Sequence, residues 1–447
     1  MKNMQWLRSG SWLMVVLFLA SVAEGLPPSL KRLRVLMVID SQAENIGEAA
    51  KLDRENMIEL FKHIFDNDQY PKLKGRIDVR TLGMENAVTQ EDIYQYFIDY
   101  PPQRDEAFMF YYTGHGAYDV NEIGGHFLAL SGAKKPEGSL DWDKPNAGDL
   151  LRWKLLDHIL HLQPSPPLVL LVTDSCASMA KINAYTSEKT FETDAEREQV
   201  YEDLFFRHRG VMDFNSSFAG EPSWTTGLGS TMTIAFRDVL MGEPIKVDGD
   251  QGLDLNGDGF VSWFEVFQKV RIRTDETFQL VKKRAEEGAA RGEPRSPIMK
   301  AKSQLPELYG VAVPNIEHIN SVQIQHNVTQ DGQRGMRLYS SWEVVEREGH
   351  DIAADFVFYD SALEPLTGIG DGNYEEPSTR QIGVRNVAKV ETQTALRTVF
   401  PTFFPYHQLH VTKDANNLKS YWIKLRLADA SKDNEAIAES QYFGFRY

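Results

Sequence analysis

The chain has little sulfur to spend on cross-links: Cys176 is the one cysteine among 447 residues. A single thiol excludes an internal disulfide. It is either an inert buried residue or one kept for its reactivity. Positive charge is also scarce. Asp and Glu number 64 against 48 Lys and Arg, for a net charge of −16. That balance argues against a general nucleic-acid binder, because neutralising phosphates takes clustered Lys and Arg. Internal repeats and low-complexity tracts are absent, and after the N-terminus no run is long and apolar enough to cross a bilayer. What is present is ordinary for a globular protein, with 42% hydrophobic and 25% charged residues. The length suits two or three domains with cores of their own.

The N-terminus reads as an export signal. Lys2 and Arg8 are basic, Trp12 to Ala20 is apolar but too short to span a membrane, and small residues follow in SVAEG. A cleavable signal peptide over residues 1–25 is expected, with the mature protein secreted, periplasmic or extracellular. An uncleaved signal serving as an anchor is the alternative.

The first half alternates apolar strands with amphipathic helices. Arg32–Asp40, Arg76–Leu82, Glu106–Thr113 and Leu168–Asp174 are the expected strands. Ala43–Phe65, a stretch capped at Thr89 and Asp149–Leu162 are the expected helices between them. Strands this apolar, separated by helices, imply an α/β fold with a mostly parallel sheet flanked by helices. Ser178–Gly229 reads as a long polar loop with a helical stretch near Thr193–His208. Helices are expected again over Thr225–Leu240 and Trp263–Ala290. From about Tyr309 the helical period disappears and short β-rich stretches recur, as in MRLYSSWEVVE, DFVFYD, HQLHVT and YWIKLRLAD. The expected second domain, 311–447, is an all-β, immunoglobulin-like sandwich. It has no catalytic cluster, so a surface or a protein ligand is its expected partner.

Two strand ends carry the chemistry. FYYTGHGAYD sets His115 between two glycines, and LVLLVTDSCASM runs into Cys176. In a parallel sheet, ligands bind outside the carboxyl ends of the strands, where both residues fall. A neighbouring imidazole can take the thiol proton and later deliver it to a leaving amine. Backbone N–H groups of Gly116 and Cys176 are candidates for stabilising an oxyanion.

YYTGHG and VTDSCAS together resemble the two catalytic motifs of caspase-like and metacaspase-like cysteine peptidases. AKSQLPELYG (Ala301–Gly310) is similar to the segment that closes bacterial members. The resemblance covers about Leu33 to Gly310 and implies a caspase-like domain over 26–310. By that resemblance His115 is the general base and Cys176 the nucleophile of an endopeptidase acting on protein or peptide substrates. Asp174 stands two before the cysteine, where metacaspase-like enzymes use an Asp for a basic substrate residue. A carboxylate there attracts Arg or Lys, and cleavage after Arg or Lys is expected. Asp40, Asp53, Thr113 and Ser216 are further substrate-binding candidates. The loop Ala180–Arg209 contains several Lys and Arg, so self-cleavage there is expected of such an enzyme. The rival reading is a catalytically inactive caspase-like binding or scaffold protein with a structural calcium site. The oligomeric state stays open.

A second motif, DLNGDGFVSWFE, fits the EF-hand loop at every position. Asp254, Asn256 and Asp258 supply oxygen side chains, Phe260 a carbonyl, Ser262 a hydroxyl or bridging water, and Glu265 a bidentate carboxylate. Ca²⁺ is the expected cofactor. Asn215 and Asn327 head glycosylation triplets.

Overall fold

The computed structural model describes residues 30–118, 126–133, 148–175, 177–179, 194–217, 221–242, 252–255, 261–309, 312–314, 319–330, 332–345, 348–360, 365–367, 381–390, 394–409, 420–432, 434–439 and 443–446. The expected signal peptide, residues 180–193 of the expected self-cleavage loop Ala180–Arg209, Cys176, Asn256, Asp258 and Phe260 lie outside the described residues.

A mostly parallel sheet forms the centre. Its strands are β1 (Arg32–Ile39), β2 (Ile77–Leu82), β3 (Glu106–Tyr118), β6 (Leu168–Ser175) and β8 (His208–Asn215), in the spatial order β2-β1-β3-β6-β8. Two short strands, β11 (Glu307–Tyr309) and β12 (Ala312–Pro314), pair antiparallel with β8 and cover that edge. Beyond the carboxyl ends lie β4 (His126–Ala129), which pairs with β3, β5 (Leu150–Leu151), which pairs with β4, and β7 (Ala177–Met179). Strand β7 runs parallel to β9 (Ser223–Thr226), itself followed by β10 (Gly229–Ser230).

The central strands are buried on both faces, as their near-continuous apolar runs require. Alternation sends Leu33, Val35, Met37, Met109, Tyr111, Leu170 and Val172 into one core. That core is completed by helices α1 (Gly47–Phe65), α4 (Asp194–Glu202), α5 (Thr231–Gly242) and α6 (Trp263–Ala290). Leu36, Val38, Phe108, Phe110, Val169 and Leu171 face the other core, under α2 (Gln90–Asp99) and α3 (Arg152–Leu160). Thr89 caps α2 through a reciprocal pair of bonds with Asp92, as its spacing predicts.

The segment expected to be a polar loop contains the fully buried strand β8, a correction with a clear cause. Strand β8 carries His208, Arg209, Asp213 and Asn215, all buried, so its sequence lacks an apolar signature. Each has a partner: the Asp213 carboxylate pairs with Arg152, His208 Nδ1 donates to the Asp203 carbonyl at 2.7 Å, Arg209 donates to the Phe206 and His208 carbonyls at 3.1 and 2.9 Å, and Asn215 Nδ2 donates to the Ser217 carbonyl at 2.7 Å. Asn215 is 3% exposed with its amide engaged, which overturns its reading as a glycosylation acceptor. The helix expected over Thr225–Leu240 starts at Thr231, because β9 and β10 occupy its first residues.

The C-terminal part holds two antiparallel sheets. One joins β13 (Ile319–Gln330), β14 (Gln333–Val345) and β17 (Thr394–Pro405). The other joins β15 (Asp351–Tyr359), β16 (Gly383–Lys389), β18 (Ser420–Asp429), β19 (Glu435–Glu439) and β20 (Phe443–Arg446). They share a core in which Met336, Leu338 and Trp342 meet Phe356, Phe358, Ile423 and Leu425. HQLHVT, expected as a strand, begins with a 3₁₀ turn at Tyr406–Leu409. Strand alternation turns Val357, Tyr359 and Trp422 the other way, into the core of the parallel sheet, where Trp422 meets Phe264 edge-on at 5.0 Å. Among the described residues no helix is long and apolar enough to cross a membrane.

Candidate active site

The strand order reverses between β1 and β3, and the crevice at such a reversal is where open α/β sheets bind ligands. His115 stands at this place on the extension of β3. Register sets Thr113 beside Asp174 and Gly114 beside Ser175, the last residue before Cys176. The two motifs are therefore neighbours in space.

Both glycines around His115 are required by close approach. A Cβ on Gly114 would meet the Asp40 Cβ at 2.9 Å, and one on Gly116 would meet the Ser175 Cβ at 2.7 Å. From behind, the Tyr112 hydroxyl donates to the His115 carbonyl at 2.7 Å. The imidazole Nε2 lies 2.7 Å from the Glu44 carbonyl oxygen. A carbonyl only accepts, so Nε2 carries the proton and Nδ1 is the basic nitrogen. This backbone contact holds the ring in one tautomer, the service a third group performs for the base in nucleophile–base pairs.

The chain on either side of Cys176 is fixed. The Ser216 hydroxyl donates to the Ser175 carbonyl at 3.0 Å and accepts from the Ser175 N–H at 3.2 Å. Ser175 Oγ lies 3.1 Å from His126 Nε2. Burial drives the His126 pKa well below the usual value. The ring is then neutral, and its Nε2 shares one hydrogen bond with the serine hydroxyl. On the far side, Ala177 pairs with Ser223 in the β7–β9 ladder.

The candidate carboxylates divide between the two faces of the sheet. Asp53 and Asp174 lie together on the face of His115. Asp53 accepts from Thr113 Oγ1 at 2.7 Å, the Ser230 N–H at 2.6 Å and Ser230 Oγ at 2.5 Å. Asp174 accepts from Ser223 Oγ at 3.0 Å and from the Thr233 N–H and hydroxyl at 3.0 and 2.8 Å. Thr233 is in the first turn of α5, whose N-terminal dipole favours the charge. Burial raises both acids, and the charge of Asp174 lifts Asp53 further, to about 8. Both carboxyls are therefore harder to ionise than an exposed acid. Asp40, by contrast, is on the opposite face, where its Oδ2 accepts from the Ser131 N–H at 2.9 Å. It does not join the other two, because successive residues of β1 point to opposite sides.

In the calcium motif, Asp254, Ser262 and Glu265 are among the described residues. Ser262 caps α6, and Glu265 returns the bond to the Ser262 N–H at 2.8 Å. Glu265 Oε1 also accepts from the Leu255 N–H at 2.9 Å, drawing the start of the loop to its end. That convergence fits a twelve-residue cation loop, with Glu265 at the position of the bidentate ligand. Among the described residues no group of three or more His, Cys, Asp or Glu side chains is arranged to hold a metal ion.

Sequence reading missed His126, Ser223, Ser230, Thr233 and Gln304, all of which reach the site through partners remote in the chain.

No family model matches the chain, and no curated protein matches it. Among solved structures it is similar to wild-type OgpA from Akkermansia muciniphila, with a TM-score of 0.17 and 8% identity over 95% of this chain and 94% of that one. A catalytically inactive OgpA in complex with an O-glycopeptide (glycodrosocin) substrate gives a TM-score of 0.16 and 9% identity over 95% of both chains. Likeness at this level carries no argument about fold or function. The chain is a mixed α/β protein with a mostly parallel central sheet flanked by helices and further antiparallel sheets.

Proposed function

We propose that this chain is a secreted, caspase-like cysteine endopeptidase with a His115–Cys176 dyad and an immunoglobulin-like C-terminal domain. The observation that carries this reading is the fixed tautomer of His115, at a strand end adjacent in register to the residue before Cys176. His115 Nδ1 takes the thiol proton, and the thiolate attacks the scissile carbonyl carbon. The N–H groups of Gly116 and Cys176 stabilise the oxyanion. Collapse of the tetrahedral intermediate breaks the C–N bond, with His115 giving its proton to the leaving amine. Water, deprotonated by His115, then hydrolyses the thioester and restores the thiol.

Asp174, with Asp53 and Thr113 behind it, is the group that selects Arg or Lys before the scissile bond. A bound guanidinium or ammonium favours the ionised carboxylate. Asp40 sits on the other face and serves the loop at Ser131 instead. Ca²⁺ would be held by Asp254, Asn256, Asp258, the Phe260 carbonyl, Ser262 and Glu265, and supplies charge that pins the loop against α6.

Peptides that differ only at the residue before the scissile bond test this reading. Release after Arg and Lys, lost in Cys176→Ala, is expected. Preference for Asp would remove the role given to Asp174. Absence of cleavage would leave the scaffold reading in its place.

A further inference from the structure

Gln304 lies in the segment that follows α6 and is fully buried, at 0% exposure. Its amide uses its full hydrogen-bonding capacity. Oε1 accepts from the Trp224 N–H at 3.0 Å and lies 2.7 Å from the Thr231 hydroxyl. Nε2 donates to the Ser216 carbonyl at 3.1 Å and to Ser223 Oγ at 3.0 Å. The two Nε2 partners bracket Cys176. Ser216 holds both backbone polar groups of Ser175, and Ser223 pairs with Ala177. Ser223 Oγ in turn donates to Asp174 Oδ1, forming a hydrogen-bond chain from the Gln304 amide through the serine to the carboxylate. Thr231 begins α5, whose Thr233 donates to Asp174 through its N–H and its hydroxyl.

We propose that Gln304 is a positioning residue that sets the specificity carboxylate Asp174 and the backbone around Cys176 with one amide. The inference rests on the peptidase reading above and extends it to a residue outside both catalytic motifs. Burial makes the tie stiff, because each partner left without Gln304 would be a buried polar group without its bond. Removing the amide frees Ser223 to rotate away from Asp174, so recognition of a cationic residue suffers more than general turnover.

The test compares the full chain with Gln304→Met and Ser223→Ala on two peptides, one with Arg and one with Leu before the scissile bond. Gln304→Met is expected to lower kcat/KM for the Arg peptide by about tenfold more than for the Leu peptide, the scale of one buried hydrogen bond to a charged group. The excess loss should appear in KM. Ser223→Ala removes the Gln304 contact and the donor to Asp174 Oδ1 together, and should shift the Arg-to-Leu ratio the same way. The double variant should shift the ratio no further than the larger single change. Equal losses on both peptides, or an unchanged ratio, would overturn the proposal while leaving the peptidase reading intact. If Gln304→Met fails to fold, the ratio in Gln304→Asn, whose amide is one methylene shorter, decides in its place. A wild-type chain that cleaves neither peptide removes the peptidase reading, and the role of Gln304 with it.

Discussion

Gly116 and Ser175 are packed so closely that a side chain on the glycine would overlap the serine, with Cβ to Cβ only 2.7 Å. This contact joins the strand bearing His115 to the strand that leads into Cys176. Gly116→Ala must push the two strand ends apart. Overpacking of this kind costs about 1–3 kcal/mol. Urea unfolding should show the loss as a lower midpoint with an unchanged slope. A midpoint equal to wild type would mean that the strand ends are not held in contact.

The Asp53–Asp174 pair predicts a pH dependence of stability. Asp53 has a folded-state pKa raised to about 8 from 3.8. Between those values the folded state holds a proton that the unfolded chain has released. Stability from this group is therefore full below about pH 4 and is lost as pH rises towards 8, by at most about 1.4 kcal/mol per pH unit. Asp53→Asn cannot ionise, so its melting temperature should depend less on pH than that of wild type between pH 5 and 8. Parallel profiles would show that Asp53 is already ionised in the fold.

Calcium should stabilise the region around α6. Leu253, Val261 and Trp263, which flank the loop, belong to the same core as Trp422 of the C-terminal sheets. Added Ca²⁺ is expected to raise the melting temperature, and a chelator to reverse the shift, since binding only the folded state stabilises by mass action. Asp254→Asn removes one ligand charge without touching the Ser262–Glu265 cap, so it should weaken the Ca²⁺ response while sparing the protein without calcium. A melting temperature indifferent to both reagents would exclude occupancy.

Much of this architecture is legible in the sequence where burial is apolar. The runs ending at Ile39, Thr113 and Asp174 are strands because both faces of a central parallel sheet are covered. Their ends locate His115 without any tertiary information. Strand β8 escaped because its buried Arg209 and Asp213 look like surface residues until their partners are known. Asp40 reads as a companion of Asp53 and Asp174 because a strand end is visible in sequence, whereas its side chain, one residue past Ile39 in the alternation, turns to the Ser131 N–H on the other face. Gln304 falls in the AKSQLPELYG stretch, but nothing local marks its role, as its four partners lie 73 to 88 residues earlier in the chain.

The dyad itself is open to one direct measurement, helped by the chain's single cysteine. Alkylation by iodoacetamide, followed by intact mass, reports Cys176 alone. The rate should exceed that of free cysteine at neutral pH and persist below the ordinary thiol pKa, because His115 draws off the proton. His115→Ala should return the rate to that of an ordinary thiol or below it, with the melting temperature preserved. A thiol in the wild-type protein that reacts only on unfolding, or at a rate indifferent to His115, would contradict the dyad.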